Sequence, residues 1–288
     1  MKVLVTGSSG RIGGAIAARL MLRHQVMGVD LRPGPLTTSI ADVRDTAEIA
    51  GLCAGMEAVV HTASLHVPDL AARSEREFRE VNVDATRRLL QACGEAGVAR
   101  FVYTSTTSLY GNALLPQAGA AVWVTEELAA RPRDIYDETK LEAEAACAEA
   151  ARHGLACVSL RMSRCFEEEP RLVAIYRLYR GVDALDVAQA HELALATGRG
   201  GHEIYNVSAP PPFTKADCRQ LLEDAASVVL DRHPWAAAEF ARRAWLLPPS
   251  IDRVYVVNKA TVGLGYRPVH DFASLFRRAA APPVAQGE

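Results

Sequence analysis

The stretch "IYDETKLEAEAAC", residues 135–147, sets a tyrosine and a lysine four residues apart at the head of an alanine-rich run: Tyr136 and Lys140. On a helix that spacing puts both side chains on one face. They are then either the wet side of an ordinary helix or a pair that moves a proton. A phenol that takes a proton from an alcohol near neutrality must ionise ~3 units below its usual pKa of about 10, which requires about 4 kcal/mol. An ammonium ~4 Å away supplies about that much at an effective dielectric near 20. Chance is a weak rival. With 8 tyrosines and only Lys2, Lys140, Lys215 and Lys259 as lysines, random placement gives roughly 0.1 such pairs.

A second constellation lies at the start of the chain. "TGSSGRIG" places Gly7, Gly10 and Gly13 where a short apolar run, "KVLVT", gives way to the helical spacing of Ile12, Ile16 and Leu20. One glycine permits a tight turn, one lets backbone approach a pyrophosphate, and one lets the helix pack on the strand. The helix N-terminus then aims its free N–H groups at the phosphates. Small residues also serve tight packing, so the triplet alone decides nothing. Asp30 strengthens it. It closes the next apolar run, "QVMGVD", 17 residues after Gly13, where a carboxylate binds both hydroxyls of an adenosine ribose and repels a 2′-phosphate. NAD is favoured over NADP, and Arg32 two residues on softens that preference.

These groups need a scaffold. "KVLVT", "QVMGVD", "EAVVHTA", "RFVYTST" and "LACVSLRM" read as strands, with helices between them at about 74–96 and from 135 to the stop at Gly154. Continuous apolar strands alternating with helices indicate a parallel sheet covered on both faces. The expected fold is α/β, a Rossmann-type doubly wound parallel sheet over residues 1–163, with 183–207 returning to it. From 164 the rhythm breaks: "SRCFEEEPRLVAIYRLYRG" reads as irregular, and 164–288 as a smaller mixed substrate-binding lobe with a flexible tail over the last eight or so residues. At 288 residues, 49% apolar and 23% charged, with a net charge of −2, the chain has ample core and no electrostatic case for nucleic acid or an anionic membrane. Its six cysteines form no C-x-x-C pair and have no histidine at ligand spacing. That points to reduced thiols in a cytoplasmic protein and to no metal.

Taken together, the glycine turn, Asp30 and the Tyr136/Lys140 pair resemble the extended short-chain dehydrogenase/reductases, the NAD-dependent epimerase/dehydratase group that includes the UDP-galactose 4-epimerases. The likeness spans nearly the whole chain. "TGSSGRIG" looks like the family's cofactor turn, implying Gly7, Ser9, Gly10, Arg11, Ile12 and Gly13. "ADVRD" resembles its adenine contact, Asp42 and Val43. "HTAS" stands at its loop beside the nicotinamide half, implying Thr62, Ala63 and Ser64 and, more weakly, His61. "VNVDAT" marks Asn82, and "NKATVGLGYRP" looks like the closing signature. "FVYTSTTSLYG" matches the strand that carries the catalytic hydroxyl, and its register points to Thr106. Ser105 faces the other side of a strand and cannot share the role.

The resemblance implies hydride transfer at a carbinol carbon, with Tyr136 as acid and base, Lys140 also holding the nicotinamide ribose, and Thr106 binding the reacting oxygen. Sugar dehydratases of this kind follow the threonine with Asp-Glu. Here Thr107 and Ser108 follow, so dehydration is not expected. A nucleotide-sugar epimerase that keeps its NAD is the leading expectation; a net dehydrogenase or ketoreductase on a free sugar, uronate or small ketone is the alternative. A non-catalytic NAD-binding sensor would have lost one of the three groups. His66, Arg164, Tyr176, Arg180 and Arg253 are the substrate-side candidates, and each is equally a surface or packing residue. The resemblance also implies a homodimer through the 74–96 and 136–152 helices.

Overall fold

The computed structural model describes residues 1–197 and 200–279; most of the expected flexible tail lies outside them. The chain opens with β1 (Lys2–Thr6), α1 (Arg11–Leu20), β2 (Gln25–Asp30), the two-residue β3 (Ser39–Ile40), α2 (Thr46–Cys53) and β4 (Ala58–His61). After them come α3 (Glu75–Arg79), α4 (Ala85–Glu95), β5 (Arg100–Thr106), β6 (Val122–Val124), α5 (Ile135–Arg152) and β7 (Ala156–Met162). The second half contributes α6 (Pro170–Arg177), α7 (Ala184–Ala196), β8 (His202–Val207), α8 (Cys218–Arg232, bent at Asp224) and α9 (Ala236–Arg242). It closes with β9 (Arg253–Tyr255), α10 (Asn258–Leu264) and α11 (Phe272–Ala279).

Seven strands form one parallel sheet in the order β3-β2-β1-β4-β5-β7-β8. Side chains alternate across a strand, so each apolar strand feeds two cores. Val3 and Val5 of β1 and Ala58 and Val60 of β4 pack under α1 and α7. Leu4, Val59 and Phe101 pack under α2, α4 and α5 on the opposite face. Both layers are buried, and each fully buried Val, Leu or Phe contributes about 1.5–3 kcal/mol. The doubly wound α/β architecture follows directly from this period-2 burial.

Three features depart from the sequence reading. The 74–96 helix is interrupted by a π-turn over Glu80–Asp84 that buries Asn82 and Val83. Such turns widen the helix by one residue, and here the widening points an amide side chain inward. The stretch read as irregular contains α6, started by Pro170 at its first position, where a proline's missing N–H costs nothing. The smaller lobe also has its own two-stranded parallel sheet, β6 with β9, paired Val122 to Arg253 and Val124 to Tyr255. Its core is a separate apolar cluster of Ile175, Leu221, Phe240, Val254 and Phe272, among others.

All six cysteines are unpaired, five of them buried. Among the described residues no helix is long and apolar enough to cross a membrane, and no three His, Cys, Asp or Glu side chains are grouped to hold a metal ion.

Candidate active site

The sheet order sets the C-terminal ends of β1, β4 and β5 side by side, with Thr6 opposite His61 and His61 opposite Tyr103. Between β1 and β4 the winding of the sheet reverses, and a parallel sheet opens its ligand crevice at such a switch point. The glycine turn leaves β1 at that place. Gly7 sits at φ +76°, and a Cβ on it would come 2.5 Å from Thr62 Oγ1 and 2.8 Å from Ala63 N. A Cβ on Gly13 would lie 2.0 Å from Gly7 O. These two glycines let turn, helix and the loop after β4 press together.

Gly10 differs: apart from Gly7 O at 3.2 Å, nothing stands within 4 Å of where its Cβ would be. It opens α1 with no side-chain cap and no acid in the first turn. The first N–H groups of α1, from Arg11, Ile12 and Gly13, are therefore left for an anion. The residues present fit the pyrophosphate of a dinucleotide.

Around that turn the other cofactor candidates take distinct roles. Asp30 ends β2 with Oδ2 accepting Ser9 N at 3.0 Å and Oδ1 accepting Arg32 N at 3.1 Å, so the acid is held against the turn. Ser9 Oγ donates to Arg32 O at 2.6 Å. Asp42 is engaged by Arg44, which lowers its pKa chiefly through their side-chain hydrogen bond, and Val43 is buried behind it. Thr62 spends its hydroxyl on Thr6 O at 2.6 Å, which leaves backbone rather than side chain to face the crevice at Thr62 and Ala63. Ser64 is half-buried on the same loop. Asn82 is buried and fully used: Oδ1 accepts Leu65 N, and Nδ2 donates to Leu65 O and Thr139 Oγ1. It ties the loop after β4 to α5, so any effect it has on a cofactor passes through that loop. His61 is core, bonded to Thr6 Oγ1 at 2.7 Å and Thr86 Oγ1 at 3.0 Å, and burial brings its pKa down to about 3.

Tyr136 and Lys140 lie one turn apart on α5, 8% and 2% exposed. Asp134 caps the helix through Asp137 N at 2.9 Å, fixing where the first turn begins. The Tyr136 phenol lies close enough to Thr106 for that hydroxyl to pull its pKa down, and Thr106 Oγ1 accepts Ser108 N at 3.1 Å. Ser105 turns the other way, toward Glu144. The electrostatics reverse the sequence expectation. Burial pushes the Tyr136 phenol up to about 12 against a smaller pull from Thr106, with the Asp137 and Asp134 carboxylates raising it further. Lys140 does not lie on the phenol. Its Nζ donates to Thr104 O at 2.7 Å and sits 4.5 Å over the Tyr103 ring, and burial brings it down to about 7 against the upward pull of Glu144. Desolvation penalises both charged forms and is the largest influence on each.

On the substrate side, a cavity of about 230 Å³ opens between Arg11 of the turn and Arg164, Phe166, Tyr176 and Asp183 of the lobe. Arg164 is paired with Glu168 and lies against the rings of Phe166 and Tyr176. Arg253 is paired with Asp252. Arg180 lies 4.2 Å over Tyr176, its buried Nε has no hydrogen-bond partner, and no carboxylate pairs with it among the described residues. His66 caps a short turn through Asp69 at 2.6 Å, with its ring 6.3 Å from Phe166 at the cleft mouth.

The sequence model of the NAD dependent epimerase/dehydratase family matches residues 3–171, more than half the chain. The chain belongs to that family. Among individual proteins it is similar to a UDP-glucose 4-epimerase of Corynebacterium glutamicum, 28% identical, with 94% of this chain and 92% of that one covered. It is also similar to a 3-beta-hydroxysteroid dehydrogenase of Mycolicibacterium neoaurum, 34% identical over 156 residues, though the match spans only 41% of that protein and 50% of this one. Among solved structures, a short-chain dehydrogenase/reductase superfamily protein of Agrobacterium tumefaciens with bound NAD superposes with a TM-score of 0.71. It is 23% identical, covers 97% of this chain and 96% of its own, and shares the fold. The protein is thus an enzyme of an NAD-dependent family, and the turn built on Gly7, Gly10 and Gly13 fits that cofactor.

Two clusters near the family's Tyr-x-x-x-Lys pair escaped the sequence reading. Arg133 donates to Asp137 Oδ2 at 3.1 Å and to Ser108 Oγ at 2.9 Å, bracing the Thr106 turn against the head of α5. Glu144, buried one turn beyond Lys140, accepts Ser105 Oγ at 2.6 Å and two bonds from the buried Arg161 at 2.9 and 2.6 Å. The signal for the second lay in the spacing. Glu144 continues the four-residue interval from Tyr136 and Lys140, and Arg161 breaks an otherwise apolar strand.

Proposed function

We propose that the enzyme moves hydride between NAD and a carbinol carbon of a sugar-type substrate, and that Tyr136 carries the hydroxyl proton. The observation that carries this reading is the buried Tyr136–Thr106 contact at the C-terminal end of β5, with Lys140 one helical turn away and the glycine turn on a neighbouring strand. NAD supplies the hydride acceptor when bound. Thr106 orients the reacting oxygen, Tyr136 gives or takes its proton, and Lys140 sets the charge state in which that exchange occurs. The same strand end carries Thr107 and Ser108 where dehydration would need an acid and a base.

Epimerisation of a nucleotide sugar, with the hydride returned to the other face, is supported by the end-to-end similarity to the UDP-glucose 4-epimerase. A second reading, net oxidation or reduction of a smaller acidic sugar, is favoured by the arginines. Arg164 and Arg253 are already neutralised by Glu168 and Asp252, which leaves Arg180 as the one substrate-side candidate arginine with no ion pair.

Denaturing the purified protein and counting the nicotinamide nucleotide released separates the two. Near-stoichiometric NAD supports an epimerase that recycles its hydride; an empty protein that binds NAD reversibly supports net oxidation or reduction. In either case Tyr136→Phe should lower turnover about 10²–10⁴-fold with NAD affinity unchanged. Retained turnover would remove Tyr136 from the chemistry.

A further inference from the structure

Helix α5 carries Tyr136, Lys140 and Glu144 at intervals of four, so all three lie along one stripe. Glu144 is 3% exposed and its ion-pair partner Arg161, on β7, is 5% exposed. Two charges taken out of water at this depth gain little net stability over well-packed apolar residues, so stability alone gives them no purpose. Their neighbours suggest one. Ser105, which donates to Glu144 at 2.6 Å, stands between Thr104, whose carbonyl accepts Lys140 Nζ at 2.7 Å, and Thr106, which neighbours the Tyr136 phenol. Glu144 therefore grips β5 between the residues that touch the two members of the proton pair.

The charge environment of Lys140 leads to the same residue. From β5 it faces the Tyr103 ring and Thr104 O. From β4 comes His61, which burial keeps neutral. On its own helix it meets Cys147, whose thiol burial pushes up and keeps protonated, and Glu144. From α7, His191 bonds Thr104 Oγ1 and is likewise held neutral by burial. Arg161 is bonded to both Glu144 carboxylate oxygens. Among the described residues Glu144 is the carboxylate that acts on Lys140.

We propose that Glu144 is a positioning residue of the proton-transfer site: its carboxylate holds Lys140 in the ammonium form and clamps α5 to the end of β5. This rests on reading Tyr136 and Lys140 as the proton device, but its test does not need that reading to be right. With only four lysines, protein labelled with ¹³C at lysine gives four side-chain methylene signals, and Lys140→Met assigns the one that matters. Without added NAD the Lys140 signal in the wild type should titrate well below the ordinary lysine value of about 10.4. In Glu144→Gln, which keeps the shape and the bond from Ser105, its midpoint should fall by about 1–3 pH units, the range for loss of an opposite charge at close quarters. A purely structural strut would leave that midpoint in place, and coincident titrations in the two proteins overturn the proposal. Should Glu144→Gln misfold because it strands the Arg161 charge, Glu144→Gln/Arg161→Gln removes that guanidinium as well and should show the same downward direction; an unmoved midpoint there is equally fatal. Since neither substrate nor NAD is present, failure here leaves the hydride-transfer reading standing, and a fully active Tyr136→Phe would defeat that reading while leaving the Lys140 titration intact.

Discussion

Burial holds the Tyr136 phenol at about 12 in the cofactor-free protein, so at pH 8 roughly one molecule in 10⁴ carries the phenolate. For Tyr136 to act as a base at that pH, the loaded site must return about 4 units, ~5.4 kcal/mol at 1.36 kcal/mol per unit. A lysine ammonium ~4 Å away supplies about 4 kcal/mol at an effective dielectric near 20. In this structure Lys140 is directed to Thr104 O and the Tyr103 ring instead. Lysine alone therefore falls ~1.4 kcal/mol short, and the positive charge of the oxidised nicotinamide has to make up the difference. The assay is the near-ultraviolet absorbance of tyrosinate, taken as wild type minus Tyr136→Phe across a pH series with and without NAD. We expect a flat difference up to about pH 11 without NAD, and one tyrosine ionising between about pH 7 and 9 with it. An ionisation below about pH 9 in the empty protein would refute the burial argument. No movement on adding NAD would refute the proton device itself.

Asp30→Ala removes the carboxylate that accepts Ser9 N and Arg32 N and that we propose as the adenosine-ribose ligand. Loss of charge-assisted hydrogen bonds worth ~1.5–3 kcal/mol should weaken NAD about 10- to 100-fold and NADP less; calorimetric titration that finds equal losses would sink the ribose argument. Acid should destabilise the fold through His61 and His191, which burial holds at about 3 and about 4. Both folded values lie below the unfolded value of about 6.5, so the unfolded chain binds the extra protons, and stability is full above pH 6.5 and lost as pH falls toward the folded values. Between pH 7 and 5 each histidine costs about 2 kcal/mol. Urea unfolding curves that coincide at the two pH values would contradict this.

The fold was legible in the sequence because burial on both faces of a parallel sheet leaves runs such as "KVLVT" and "AVVH" with no polar alternation, and their shortness and flanking turns mark them as covered strands. The π-turn at 80–84 was not legible. Its residues continue the helical spacing on either side, and the extra residue shows only in where Asn82 points. The β6–β9 pair was hidden for a different reason. Three-residue strands more than a hundred positions apart leave no local periodicity from which to read their pairing.

The site divides along the same line. Gly7, Gly13 and Tyr136 are readable because their chemistry demands one residue type at one spacing. Glu144 and Arg161 are not, because each taken alone is an ordinary charge in an ordinary helix or strand. They become informative only once the sheet sets β7 beside β5 and brings Arg161 level with Ser105. Thr106 and Ser105 show both cases in adjacent residues. Alternation along a strand says that only one hydroxyl can reach the cleft, and the Tyr-Gly that follows says which. What the other does needed coordinates. Ser105 binds the carboxylate that sits one turn from Lys140, so the hydroxyl set aside as non-catalytic is the one that connects the strand to the charge balance of the proton pair.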